Sequence, residues 1–348
     1  MPIDISEERI SMRHFVIVGI LVIVLTFLTY FGLTAAGLMP LEASSQAQYI
    51  DWMWNLELIA MSFLFALIVV PMFYSFVVFR RRKGDTTDAE HVEGNTTLEV
   101  AWSITPLFIV VVFAYLGAVN LADTVRRDPD AMVVKVTGIQ WSWKFEYPPI
   151  NGIAVVSDEL HIPVDQQVLL QMTSSDVIHS FWVPEFRVKQ DLVPGRITEL
   201  SITPTQEGSY KVRCAELCGT SHAYMEKPVV ISSQEEYDAW MAARVDEAKE
   251  LQKTPEGAGQ LLVSANGCAA CHSTNGAEGI GPTWFNLYNH EVELSDGSVV
   301  IADEQYLAES IKLPQAKIVA GFETQLMPTY GFTDEDIANI VAYIKTLK

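Results

Sequence analysis

Cysteine is scarce in this chain, four residues in 348, and all four fall within two short motifs. None is left for a disulfide framework, which excludes the small cross-linked secreted class. Basic residues are also few, 23 Lys and Arg against 43 Asp and Glu. The resulting formal charge of −20 argues against a nucleic-acid partner. It is distributed as −5 over residues 1–122, −7 over 123–249 and −8 over 250–348. An acidic surface of this kind steers a basic soluble partner or serves solubility. The length implies two or three domains.

Charge is missing altogether from Phe15–Leu41, Leu58–Phe79 and Val100–Ala122. Each stretch exceeds the ~20 residues a helix needs to cross hydrocarbon. Residues 1–123 are therefore expected to form a membrane anchor of three transmembrane α-helices, at about 15–41, 55–79 and 99–122. Arg80, Arg81, Arg82 and Lys83 lie between the second and third spans, and Arg9 and Arg13 precede the first. The bias of basic residues toward the cytoplasm puts the N-terminus and that loop inside. Everything after Asp123 then lies on the outer face of a bacterial plasma membrane. The first span could instead be a cleaved leader, but its apolar core is longer than the usual ~7–15 residues, which favours a retained helix.

From Met132 the pattern changes to period two. Ile139, Trp141, Trp143, Phe145 and Tyr147 alternate with Gln140, Ser142, Lys144 and Glu146 along what reads as one strand. Tyr210, Val212 and Cys214 alternate in the same way after Gly208. Short strands broken by Pro, Gly and Asp predict an antiparallel all-β sandwich over residues 124–232. Cys214 should point along its buried face where a strand ends.

Cys214-Ala-Glu-Leu-Cys-Gly-Thr-Ser-His-Ala-Tyr-Met225 gathers Cys214, Cys218, His222 and Met225 within twelve residues, and His179 lies 35 residues before Cys214. Soft thiolate and thioether donors select copper over hard cations. A Cys2His2 zinc site and a Cys214–Cys218 disulfide are the competing readings, and a thioether is a poor zinc ligand. The spacing Cys-x-Glu-x-Cys-x-x-x-His-x-x-Met, with His179 in an Asp-Val-x-His-Ser motif, resembles the binuclear CuA centre of the cytochrome c oxidase subunit II family. That resemblance implies a cupredoxin fold in which Cys214 and Cys218 bridge two copper ions. His179 and Met225, with His222 and the backbone carbonyl of Glu216, would take the outer positions. It further implies that Trp141, first Trp of Gln-Trp-x-Trp, is the port through which electrons reach CuA, although an aromatic stripe at strand period is usually core. By the same resemblance Glu216 offers its carboxylate to a magnesium shared with the large subunit, and Asp191 lies at that interface. Glu99-Val-Ala-Trp-Ser-Ile-Thr-Pro106 is similar to the start of the family's second anchoring helix. There the glutamate lies near the mouth of a proton pathway, whereas on charge alone Glu99 is an interfacial carboxylate favoured by the helix dipole. Ser103 replaces the family's usual threonine.

Residues 233–253 read as a charged helical linker, broken by Lys253-Thr-Pro-Glu-Gly257. Cys268-Ala-Ala-Cys-His272 beyond it is the attachment signature of c-type haem. A thioredoxin-like pair, the alternative, expects a βαβ context and no following His. Met327 is the one methionine between residues 250 and 348 and so the candidate for the second axial ligand opposite His272. His290 or an open position are the alternatives; His161 and His290 otherwise match no motif. Met327 followed by Pro328 resembles class I cytochromes c, and in the Ile280-Gly-Pro-Thr283 loop the resemblance gives the Pro282 carbonyl the bond from the His272 ring. Thr333 with Asp336 starts a last helix whose apolar stripe is Ile337, Ile340, Val341 and Ile344. Residues 254–348 are thus expected to be an all-α class I cytochrome c domain.

The whole is similar to subunit II of a haem–copper oxidase with a fused cytochrome c. Electrons would pass from a soluble or membrane-bound donor to haem c, then CuA, then subunit I, where oxygen reduction is coupled to proton translocation. The implied partners are subunit I, other oxidase subunits, the donor and the lipid bilayer. A CuA-bearing subunit of a nitric oxide reductase and a free-standing tethered electron carrier are the alternatives. A quinol oxidase subunit is disfavoured, because that lineage lacks the copper ligands found here at Cys214 and Cys218.

Overall fold

The computed structural model describes the chain except residues 1–4, 82, 87, 89–92 and 325–326, and except the side chains of residues 5–11 and 270. Arg82 and the side chain of Arg9, both used in the orientation argument, lie outside the described residues. The chain divides into two units. The first comprises residues 1–42 and 47–124, and the second residues 125–348 with the short segment 43–46.

The first unit consists of helices α1 (Ile5–Ala35), α2 (Ser45–Val78) and α3 (Thr96–Thr124). An uncharged run can enter hydrocarbon only with every backbone N–H and C=O paired, and a helix achieves this within one segment. The first helix ends at Ala35 rather than near residue 41, because Gly37 takes the left-handed conformation (φ 60°) and Pro40 follows. The second begins ten residues earlier than its apolar run implied, since Ser45–Asn55 carries little that opposes helix. Val22 of α1 is buried with Ala66 and Val70 of α2. His14 Nδ1 of α1 lies 2.7 Å from the Tyr74 hydroxyl of α2. No residue of α3 is buried. Its apolar surface faces outward, as fits a helix whose surroundings are lipid or another membrane subunit.

The second unit begins with a two-sheet sandwich. In chain order its strands are β1 (Met132–Ile139), β2 (Ser142–Ile150), β3 (Ile153–Ser157), β4 (Leu160–Pro163), β5 (Val168–Ser174), β6 (His179–Trp182), β7 (Lys189–Leu192), β8 (Thr198–Ile202), β9 (Gly208–Cys214) and β10 (Glu226–Ser232). One sheet runs β3-β2-β1-β5-β8 and the other β4-β10-β9-β6-β7. The sandwich is not wholly antiparallel: β1 pairs with β5 and β4 with β10 in parallel, joined by connections that cross between sheets. Alternation fills the core. β5 buries Val168, Leu170, Met172 and Ser174, and β9 buries Tyr210, Val212 and Cys214.

The apolar series from Ile139 to Tyr147 is not one strand. It is a hairpin in which Ile139 pairs with Ser142, so Gln140 and Trp141 form the tip. Trp143, Phe145 and Tyr147 are buried as expected, but Trp141 is half-buried at the turn. Period two continues through a two-residue turn, so the pattern alone could not reveal the reversal.

Helix α4 (Gln234–Leu251) follows, its N-cap Ser233 accepting from the Glu236 N–H. It buries Tyr237, Met241, Val245 and Ala248, and its Trp240 stacks on His161 at 4.1 Å between ring centroids. Helix α5 (Pro255–Ala265) is capped by Thr254. A small ribbon of β11 (Glu291–Glu293) and β12 (Val299–Ile301) comes next, then α6 (Glu304–Lys312) capped by Asp303. The last helix, α7 (Asp334–Ile344), opens with a complete Thr333–Asp336 capping box and buries Ile337, Ile340, Val341 and Ile344. Helices α5 and α7 cross at Gly259, where a Cβ would lie 1.9 Å from the Asn339 carbonyl oxygen and 2.9 Å from Tyr343 Cβ.

That approach is possible only without a side chain at position 259. Gly259→Ala is expected to force the helices apart and cost about 1–3 kcal/mol, as overpacking does. Thermal unfolding followed by circular dichroism and the haem band should show the cytochrome-like region melting earlier; an unchanged midpoint would show that the crossing yields freely.

Candidate functional site

Two pockets in the second unit gather chemistry-bearing side chains. The first lies at one end of the sandwich. The pairing of Phe181 in β6 with Cys214 in β9 brings the His179 strand beside the Cys214 strand. The Cys214 N–H donates to the Met225 carbonyl at 3.1 Å, closing the intervening loop on itself. Cys214 and Cys218 are both free, with their sulfurs 3.6 Å apart. Around Cys214 lie His179 Nδ1 at 3.9 Å and the Glu216 carbonyl oxygen at 3.2 Å. Around Cys218 lie His222 Nδ1 at 3.5 Å and Met225 Sδ at 3.8 Å. His179, Cys218 and Met225 are almost fully buried. Every residue expected from the sequence to ligate copper is therefore in one place.

The donor set discriminates between metals. Five side-chain donors and a carbonyl are more than a four-coordinate zinc takes, and two thiols, two imidazoles and a thioether suit copper. The residues fit a binuclear copper centre. Burial by itself would raise Cys214, but contacts with the His179 ring and the Ser180 and Glu216 backbone outweigh it and bring the thiol down to about 6. Burial and the neighbouring Cys214 thiolate instead push Cys218 up to about 12. Two adjacent thiols do not both ionise unaided, and cations between them would release the second proton.

Asp176 has no assigned role in the sequence reading, although it stands three residues before His179. Its Oδ1 lies 2.8 Å from His179 Nε2, and its two oxygens accept the Val177 and Gln140 N–H groups, each at 2.7 Å. Burial would raise Asp176, but these bonds hold it below the usual carboxylate range. The carboxylate thus fixes the ring with Nδ1 turned toward sulfur, the arrangement that orients metal-ligating histidines. Gly138 leaves room for that ring, since a Cβ there would lie 2.8 Å from His179 Cδ2.

The second pocket is a cavity of about 650 Å³ among α6, α7 and the His272–Met327 loops, and Cys268 and Cys271 line a small cleft that shares His272 and Met327 with it. His272, Pro282, Trp284, Leu307, Ile344 and Met327 are among its lining residues. Its size is within the usual range for cofactor sites. His272 Nδ1 donates to the Pro282 carbonyl at 2.7 Å, which leaves Nε2 for a ligand, and the ring stacks on Trp284 at 4.7 Å. Trp284 is a contact the sequence motif did not identify. Burial keeps His272 neutral, pushes Cys268 up to about 12 and raises Cys271. A thioredoxin-like pair would need a lowered thiol, and Cys268 opens a single helical turn (Cys268–Ala270) with no βαβ unit. Neutral thiols beside a neutral imidazole and an apolar cavity fit covalent haem, and Met327 lines that cavity.

Trp141 lies where the two pockets approach one another. Its Nε1 donates to the Cys218 carbonyl at 3.1 Å. Its ring also lines a 70 Å³ cleft together with Cys268, Cys271, His272 and Met327. The remaining expected residues stand apart. Glu216 and Asp191 have exposed carboxylates and join no cluster of metal-ligating side chains among the described residues. Glu99 is exposed in the first turn of α3. His161 is a strand residue stacked on Trp240, and His290 is exposed at the start of the β11 ribbon.

A membrane-anchored chain with a cupredoxin sandwich and a helical c-type domain is an electron-transport protein that binds copper and haem. Residues 32–117 match the family described as cytochrome c oxidase subunit II, transmembrane domain. Residues 153–234 match its periplasmic domain, and residues 257–348 match the cytochrome c family. Cytochrome c oxidase subunit 2 of Alkalihalophilus pseudofirmus is 32% identical over 339 residues, covering 93% of this chain and 96% of that relative. The Synechocystis protein of the same name is 34% identical over 254 residues, covering 60% and 76% respectively. The crystal structure of the periplasmic domain of subunit II of cytochrome oxidase of Bradyrhizobium japonicum is 31% identical. It covers 34% of this chain and 96% of that one, with a TM-score of 0.31. The chain belongs to the cytochrome c oxidase subunit 2 family and carries a fused cytochrome c domain. Its role is that of subunit II in a haem–copper oxidase complex.

Removing the group that orients His179 should loosen the metal without unfolding the sandwich. Asp176→Ala is expected to weaken copper binding roughly 10–100-fold, measured by competition with a chelator; affinity equal to the unaltered protein would show that Asp176 does not orient the ring.

Proposed function

We propose that this chain is the electron inlet of its oxidase, receiving electrons from a cytochrome c or equivalent donor at the cytochrome c domain and delivering them through the copper site to subunit I. When bound, haem c and binuclear copper supply reversible one-electron transfer. Cys268 and Cys271 would tether the porphyrin, and His272 and Met327 would hold its iron, with the Pro282 carbonyl fixing the His272 ring. Histidine with methionine is the pairing of electron-transfer cytochromes. Cys214, Cys218, His179, His222, Met225 and the Glu216 carbonyl would together hold the binuclear copper. Oxygen reduction would take place in another chain of the complex.

The observation that carries this reading is the position of Trp141. Its indole N–H donates to the Cys218 carbonyl, and Trp141 lines a cleft together with Cys268, Cys271 and Met327. Conjugated side chains at such a junction shorten the path an electron must cross. In the membrane, Arg13, Arg80, Arg81 and Lys83 favour a cytoplasmic N-terminus and α2–α3 loop, with both centres outside. Glu99 would then lie at the cytoplasmic end of α3, where it could serve a proton pathway of subunit I. The exposed carboxylates of Glu216 and Asp191 are free to face that subunit, where a shared magnesium would draw on them.

Three variants test the order of transfer. Cys214→Ser should abolish near-infrared copper absorption and stop oxidase turnover. Met327→Ala should keep the haem attached but lose its low-spin methionine-ligated spectrum. Trp141→Leu should leave the haem spectrum intact while slowing haem-to-copper transfer in stopped-flow traces; an unchanged rate would remove Trp141 from the route.

A further inference from the structure

We infer that Gln140 is a positioning residue of the copper site, tying together the two separate loops that carry its ligands; the inference rests on the copper reading above. Cys218 follows the end of β9 and precedes the helical turn His222–Tyr224, so no sheet ladder fixes it. What fixes it is its carbonyl, which accepts the Gln140 side-chain amide at 2.7 Å and the Trp141 indole at 3.1 Å. The Gln140 backbone N–H donates to Asp176 Oδ2 at 2.7 Å, and the other oxygen of Asp176 holds His179 at 2.8 Å. Gln140 therefore reaches Cys218 through its side chain and His179 through its main chain. Trp141 reaches only the first of these.

The surroundings keep this geometry open. Gly219 has φ 122°, and a Cβ there would lie 3.0 Å from the Gln140 amide nitrogen and 2.9 Å from the Trp141 ring. A side chain at position 219 would displace both donors from the carbonyl. Gln140 also lines the cleft on the haem side, beside Cys268 and Met327, and is half-buried there. Partial exclusion of water strengthens the amide–carbonyl bond and makes its loss harder to replace by solvent. In chemical terms, Gln140 sets how far the Cys218 sulfur stands from His179, and so the shape of the space that copper would occupy.

The test uses the full-length protein. Gln140→Met keeps the shape and backbone N–H but removes the amide donor; Gln140→Asn keeps an amide too short by one methylene. Both are expected to lose copper to a chelator roughly tenfold faster, the range typical of groups that support metal ligands. Both should change the copper electron-paramagnetic resonance pattern while leaving the haem spectrum and the KM for the donor unaltered. In metal-free protein, amide hydrogen exchange over residues 215–221 should accelerate in both variants, an effect that does not depend on which metal binds. Native copper retention and resonance in either folded variant, or unchanged exchange in the metal-free protein, would overturn the inference. Failure of the unaltered protein to bind copper would instead sink the functional reading, with the exchange measurement still deciding the role of Gln140.

Discussion

Two thiols 3.6 Å apart in a buried pocket are the constraint on which the rest of the copper-site architecture depends. A pair of thiolates so placed repels itself strongly unless cations lie between. The protein alone resolves this by ionising one, with Cys214 brought down and Cys218 pushed up. Holding both sulfurs at that distance, on two different segments of one loop, requires a stiff scaffold. The sandwich supplies it: β6 and β9 are hydrogen-bonded neighbours, and Met225 closes the loop by accepting from the Cys214 N–H before β10 begins.

The haem-binding region solves the opposite problem. Its cysteines and His272 are kept neutral by burial, and the single strong polar contact of the ring goes to a backbone carbonyl. The cavity beside them is mainly apolar and asks little of charge. The copper pocket concentrates anionic donors, whereas the haem pocket removes charge. Placing the hairpin tip between them lets a single turn meet both, with Gln140 and Trp141 bonded to Cys218 and facing Met327.

The anchor follows a simpler rule. Its helices satisfy their own backbone, pack on one another through few buried side chains and present apolar surface outward. That surface fits lipid and the other membrane subunits of an oxidase.

The sequence by itself determined the three uncharged runs within the membrane helices, the types and spacings of the candidate ligands of both pockets, and the capped last helix with its buried stripe. These are local properties, set by hydrophobic runs, side-chain chemistry and a few residues of spacing. It could not reveal the hairpin hidden in the Ile139–Tyr147 alternation, because period two survives a two-residue turn. Nor could it reveal the parallel strand pairs, the docking of Trp240 on His161, or the partners of Asp176 and Gln140. Those contacts join residues far apart in the chain, and only the packing of two sheets and four helices decides which of them meet.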